Sequence, residues 1–282
     1  MTQQDKPVWF ITGCSTGFGR ELARYALDRN YRVVVTARKP AEIADLAVGH
    51  EAHALLLPLD VTRPDQIAAS VAAAEARFGR IDVLVNNAGI GYFGAIEESD
   101  DPEVRRMFEI NFWGLANMTR AVLPGMRARR AGHIVNISSM GGVRGAPAVG
   151  YYNATKFALE GFSEALAQET APLGIKVLIV EPSGFRTDWA GRSANETPHP
   201  IADYDATAGA RQRMIRGYNG KQPGDPARAA AAIVKAVEAP DAPLRLMLGK
   251  AALAAGRGKV EALSRDFESW AAVTEGADFP TG

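Results

Sequence analysis

The chain has 282 residues, 47% hydrophobic and 23% charged, an ordinary globular composition with material for a sizeable core. Its 32 Lys and Arg balance 32 Asp and Glu, so no net field recruits nucleic acid or an anionic membrane, and a lone cysteine, Cys14, excludes an intrachain disulfide and fits a reducing compartment. No run approaches about eighteen apolar residues, and the polar start over 1–7 lacks a signal-peptide core, so a cytoplasmic protein with no membrane partner is expected.

Short β-branched runs alternate along the chain with stretches of helical period. Strands are predicted at 8–12, 32–36, 54–59, 82–85, 133–138, 175–181 and 244–248. Helices are predicted from the glycine-rich turn after the first strand to about 28, and over 64–78, 102–129, 150–173 and 226–238. The basic run Arg127-Ala128-Arg129-Arg130 falls where a helix ends and reads as a solvated last turn complementing the helix dipole. Alternating β and α with near-continuous apolar strands implies an α/β, doubly wound, seven-stranded parallel sheet with helices on both faces.

Two regions break the rhythm. Residues 183–225 are rich in Gly, Pro and polar residues and read as a substrate loop. Glycines among the aromatics Trp189, Tyr204 and Tyr218 suit a mobile lid, and a packed helical insertion is the alternative. Residues 251–282 read as an Ala-rich amphipathic helix with a tail, for docking or oligomer contact. No interior boundary splits 1–282, which reads as one Rossmann-type unit, and a homodimer or homotetramer is expected.

The turn after the first strand is Thr12-Gly13-Cys14-Ser15-Thr16-Gly17-Phe18-Gly19. Glycines there permit a tight turn and bring backbone N–H groups and a helix N-terminus close to a pyrophosphate. The second strand ends at Ala37-Arg38, where a carboxylate would bond the ribose of NAD and an arginine the 2′-phosphate of NADP. Asp60-Val61 ends the third strand, where an adenine would lie, and Asn86-Asn87-Ala88-Gly89 ends the fourth.

Tyr152 and Lys156 stand four residues apart on a helix and share a face, with Ser139 thirteen residues ahead of the tyrosine. An ammonium beside a phenol favours the phenolate, so the Tyr152 pKa is expected to fall toward neutrality. Tyr151 points about 100° away from that face. No cluster for a metal is apparent.

Together these pieces resemble the short-chain dehydrogenase/reductase family over nearly the whole chain. Thr12-Gly-x3-Gly17-x-Gly19, Asn86-Asn87-Ala88-Gly89, Asn111, Ser139, Tyr152-x3-Lys156 and Pro182-Ser183-Gly184-Phe185-Arg186-Thr187 match its order and spacing. The opening Thr-Gly-Cys-Ser and Arg38 look most like the branch of 17β-hydroxysteroid and retinol dehydrogenases. Phe18 for isoleucine and Ser183 for glycine are the departures.

The resemblance implies an NADP(H)-dependent oxidoreductase acting between a carbonyl and a secondary alcohol. Tyr152 would be the proton donor and acceptor, Lys156 its electrostatic partner and ribose ligand, Ser139 the donor to the substrate oxygen, and Asn111 the holder of a relay water. Cofactor contacts would come from Gly13, Ser15, Thr16, Gly17, Phe18, Gly19, Arg38, Asp60, Val61, Asn87, Ala88, Gly89, Tyr152, Lys156, Pro182, Phe185 and Thr187. A redox sensor without turnover should lack part of the Ser-Tyr-Lys set, and a nucleotide-sugar isomerase or dehydratase would need a longer chain. Tyr92, Phe93, Met140, Val143, Phe185, Trp189, Tyr204, Met214 and Tyr218 read as the walls of a pocket for a bulky apolar substrate.

Overall fold

The computed structural model describes residues 6–279, so residues 1–5 of the polar start and 280–282 of the expected extension lie outside it. The main sheet comprises β1 (Val8–Ile11), β2 (Arg32–Ala37), β3 (Ala54–Pro58), β4 (Val83–Asn86), β6 (Gly132–Ile137), β7 (Ile175–Pro182) and β9 (Arg245–Leu248). All pair in parallel, in the order β3-β2-β1-β4-β6-β7-β9. From β1 the chain builds outward to β3, then returns to place β4 on the other flank of β1. That reversal opens a crevice at the carboxyl ends of β1 and β4, where doubly wound sheets bind ligands.

Alternation along each strand divides the core. Trp9, Ile11, Val33, Val35, Val85, Val135 and Val180 face α1 (Gly17–Asp28) and α7 (Pro226–Glu238). Val8, Phe10, Val34, Leu84, Ile134 and Val177 face α2 (Pro64–Phe78), α4 (Leu115–Arg129) and α5 (Gly150–Thr170). Both faces are covered, which is why these strands read as continuous apolar runs.

The helix expected over 102–129 is α3 (Asp101–Phe108) joined to α4 by a wide π-turn, Glu109–Gly114. Gly114 lets that turn sit on Val61, since a Cβ there would lie 2.9 Å from the valine Cβ. The segment 183–225 is not a bare loop. It carries β8 (Ala194–Glu196), which pairs with β5 (Gly91–Phe93), and α6 (Ala210–Gly217). Arg216 fastens it by donating to the carbonyls of Ala190, Gly191 and Ala194 at 3.0, 2.6 and 2.8 Å. This arrangement suits the packed insertion better than a bare lid, and three-residue strands carry too little periodicity to show in the sequence. The terminal helix, α8, spans Lys250–Glu275. No helix among the described residues is long and apolar enough to cross a membrane.

Candidate active site

The loop after β1 is locked to the end of β4. Thr12 Oγ1 accepts from the amides of Asn87 and Ala88 at 2.9 and 3.0 Å and donates to the Val85 carbonyl at 3.2 Å. The Asn87 side-chain Nδ2 in turn donates to the carbonyls of Thr12 and Gly13, both at 2.9 Å. Gly13 has φ +70°, and a Cβ on it would lie 2.9 Å from Ala88 Cα, so only glycine fits. A Cβ on Gly19 would meet the Gly13 carbonyl at 2.5 Å. Thr16 precedes α1 without a side-chain cap, so the first-turn N–H groups, beside Ser15, are left to an external acceptor. Cys14 is buried, its thiol pushed up to about 12 by desolvation, and is an inert packing residue.

Past Ala37, Arg38 is exposed and pairs with no carboxylate among the described residues. Arg20, by contrast, is engaged with Asp45 and the Glu42 carbonyl. Asp60 caps its own turn, accepting from the Thr62 amide at 3.0 Å and hydroxyl at 2.7 Å, and Val61 is buried. At the end of β7, Pro182 is buried and Phe185 packs edge-on against Phe18 at 5.0 Å. Thr187 lies over Gly17, where a Cβ would meet it at 3.4 Å. Gly89 lies against Asn111 Oδ1, which a Cβ would meet at 3.3 Å. The residues expected around a dinucleotide thus converge on the crevice, and their open helix terminus and free guanidinium suit its phosphates.

Tyr152 and Lys156 occupy successive turns of α5, both buried, with the ammonium 5.7 Å from the phenol ring centroid. Lys156 Nζ donates to the Ile137 carbonyl at 2.8 Å. Ser139 Oγ accepts from the Gly141 amide at 3.0 Å, which leaves its proton for Tyr152 or a substrate oxygen. The Tyr152 pKa departs from expectation. Burial pushes it up to about 12, with the Ser139 hydrogen bond pulling weakly the other way. Burial also lowers Lys156 to about 8, with Glu160 opposing. In this arrangement the phenol keeps its proton at neutral pH.

Asn111 sits in the π-turn, buried, and both of its side-chain N–H groups are used. Oδ1 accepts from the Ile90 amide at 2.8 Å, and Nδ2 donates to the Ile90 carbonyl at 2.9 Å and Thr155 Oγ1 at 3.2 Å. Its side chain therefore pins the β4 loop to α5.

Beneath the site lies a cluster that the sequence reading missed. Buried Glu160, one turn past Lys156, accepts from Ser138 Oγ and from Arg245, which also donates to Glu181 and Glu164. Glu181 is fully buried, and its carboxyl is raised first by desolvation and then by the Glu160 charge. Glu160 falls at i+4 from Lys156, a visible signal, but its partners arrive from β7 and β9.

The walls differ in part from expectation. Tyr92 and Phe93 are buried core, Tyr92 accepting from the Asp100 amide at 2.8 Å, because β5 is fastened to β8. Phe185 belongs to the packing under Phe18, and Met214 and Tyr218 are half-exposed. Trp189 does face the site, its ring 4.9 Å from that of Tyr152. A cavity of about 620 Å³, lined by Ala95, Ile96, Ala146, Ala148, Tyr204 and Ala208, lies against the first turn of α5.

The short chain dehydrogenase model matches residues 7–198. The chain belongs to the short-chain dehydrogenase/reductase family. It is 39% identical to Oxidoreductase BOA17 of Botryotinia fuckeliana, covering 93% of this chain and 96% of that protein. It is 40% identical to the 3-ketodihydrosphingosine reductase of Bacteroides thetaiotaomicron, covering 85% and 86%. Human retinol dehydrogenase 8 is 40% identical over 64% of this chain and 60% of that one. Among solved structures, a short-chain dehydrogenase from Streptomyces avermitilis superposes with TM-score 0.91 at 43% identity, over 98% and 100% of the chains. Another from Burkholderia phymatum, in complex with NAD, gives 0.82 at 25% over 94% and 97%. ElxO with NADP bound gives 0.73 at 27% over 88% and 99%. This short-chain dehydrogenase/reductase is therefore an oxidoreductase with a nicotinamide cofactor.

Proposed function

We propose that the protein reduces bulky apolar ketones, or oxidises the corresponding secondary alcohols, with NADP(H). The observation that carries this reading is the pairing of buried Tyr152 and Lys156 with part-exposed Ser139. When bound, the nicotinamide supplies or accepts the hydride. Gly13, Ser15, Thr16, Gly17 and Gly19 would hold its pyrophosphate through backbone N–H groups. Arg38 would hold a 2′-phosphate, and Lys156 a ribose hydroxyl, having N–H groups beyond the one given to Ile137.

Tyr152, protonated at neutral pH, donates that proton to the carbonyl oxygen as negative charge develops there. An alkoxide is more basic than a phenolate, so the transfer runs downhill even from a phenol raised by burial. The Ser139 hydroxyl donates to the same oxygen and stabilises its charge. Lys156 then faces the phenolate that forms, its ammonium 5.7 Å from the ring centroid, and steadies the charge in this water-poor setting. Trp189 over Tyr152 excludes water from the proton path.

The cavity beside α5 is lined by alanines, Ile96, Pro147 and Tyr204 together with Glu97, Asn153 and Thr207, with no cation, and supports a largely apolar substrate. Relatives named for 3-ketodihydrosphingosine and for retinol point the same way. A panel of steroid, retinoid, terpenoid and long-chain ketones with NADPH, followed by NADPH absorbance, tests the proposal. Turnover of these, with none for sugar phosphates or acyl-CoA thioesters, is the expected result. Turnover restricted to small polar carbonyls would overturn the substrate class.

A further inference from the structure

Lys156 is a cation taken out of water, only 6% exposed. It donates to the neutral Ile137 carbonyl, and the Tyr152 phenol behind which it stands is itself uncharged at neutral pH. A buried ammonium among neutral neighbours gives up its proton, so a charged one needs a counter-charge. Glu160 stands four residues on and 5% exposed, so both groups leave α5 on one face. Consecutive residues at the end of β6 take one each. The Ile137 carbonyl accepts from Lys156, and the Ser138 hydroxyl donates to Glu160.

The Glu160 carboxylate is itself held by groups from across the sheet. Arg245 of β9 donates to it, to Glu181 of β7 and to half-exposed Glu164 on α5. Glu181 is fully buried, with Oε2 unpartnered among the described residues. Desolvation first, and the Glu160 charge second, push Glu181 toward its protonated form. With that proton on Glu181, Lys156 and Arg245 balance Glu160 and Glu164. Gly142, in the short turn after Ser139, lies directly against the same groups. A Cβ on it would stand 2.9 Å from Glu160 Oε1 and 2.5 Å from Ser138 Oγ.

We propose that Glu160 is a positioning residue for proton transfer: its carboxylate, fixed by Ser138 and Arg245, is the counter-charge that keeps Lys156 an ammonium behind the phenol. The proposal rests on the role given to Lys156 above. The rival is an ion pair that merely stitches β9 to α5, in which Glu160 and Glu164 serve the same arginine alike. Among the described residues, the charged and titratable groups facing the pair are Tyr152 and Glu164 on α5, Glu181 on β7 and Arg245 on β9, with the Ser138 hydroxyl past β6.

Glu160→Gln keeps the shape and removes the charge. The test is an NMR titration of the full chain with lysine Cε enriched in carbon-13, the Lys156 signal being assigned by its loss in Lys156→Arg. In E160Q the Lys156 midpoint should move down by about one pH unit. The ratio of turnover at pH 8 to that at pH 6 should fall about fivefold, the equivalent of that shift for a midpoint near 8. Glu160→Asp should restore both readouts, and Glu164→Gln, which takes an equal charge from the same arginine, should move neither. Ser138→Ala, a milder change that frees the carboxylate to swing toward Arg245, should lower the midpoint by less and serves if E160Q does not fold. A Lys156 midpoint unmoved in E160Q, or in S138A where that variant stands in, would overturn the proposal, as would an equal shift in E164Q. A midpoint that moves while the pH profile of turnover does not would refute the role of the ammonium in turnover, and with it Glu160 as a positioning residue.

Discussion

The Trp189 indole lies 4.9 Å from the Tyr152 ring at 54°, and at 5.6 Å meets Phe93 edge-on. One residue of the segment 183–225 thereby bridges Tyr152 and the buried strand β5. The segment's own strand and the Arg216 bonds to three carbonyls hold it there. Hydrogen exchange should accordingly find the amides of 194–196 and 214–218 protected in the free protein, with little gain in the ternary complex. Protection that appears only when cofactor and substrate are both present would show instead a lid that closes on them.

Tyr152→Phe should lower turnover by about 10²–10⁴ while leaving cofactor binding and the melting temperature nearly unchanged. Tyr151→Phe should do far less, since its side chain leaves the helix on another bearing. Steady-state kinetics with a fluorescence titration of NADPH separates the two effects. A dead Tyr151 variant beside an active Tyr152 variant would reassign the proton donor.

Reduction should hold steady toward acid and decline as pH rises past about 8, where buried Lys156 gives up its proton. The charged form is the one that steadies the phenolate after transfer, so the sign of the change is a loss with rising pH. A pH–rate profile flat through that window would mean that Lys156 acts without its charge.

Arg38→Ala removes the guanidinium that would meet a 2′-phosphate. NADPH affinity should fall about ten- to hundredfold, the equivalent of a charge-assisted bond worth about 1.5–3 kcal/mol, while NADH changes little. Equal losses for both cofactors in a titration would refute NADP preference.

His133 sits buried in β6 with Nε2 unpartnered among the described residues. Burial first, and Lys176 second, lower its pKa from 6.5 to about 4. As pH falls through that window, the unfolded chain binds a proton there and the folded chain does not, so stability drops by about 3 kcal/mol. His133→Leu should flatten the acid limb of a denaturant-melt series between these pH values; an unchanged limb would locate acid sensitivity elsewhere.

Much of the fold was legible in the sequence because it rests on local period and composition. Apolar runs marked the seven parallel strands, and the alternation with helices fixed the doubly wound class. Gly13, Gly17 and Gly19 were legible because a sharp turn with close backbone approach admits no side chain. Tyr152 and Lys156 were legible because helical spacing alone sets them on one face.

What the tertiary structure decided depends on desolvation and on partners distant in the chain. Spacing pairs an ammonium with a phenol, but burial acts on both, and it raises Tyr152 instead of lowering it. Asn111 is spent on Ile90, twenty-one residues away, and Arg245 gathers Glu160, Glu164 and Glu181 from across the sheet. Tyr92 and Phe93 became core because β5 pairs with β8, a hundred residues on. Sequence sets which chemical groups are present and which face of an element they share; their charge state and partners depend on how much water the fold removes and what it brings near in exchange.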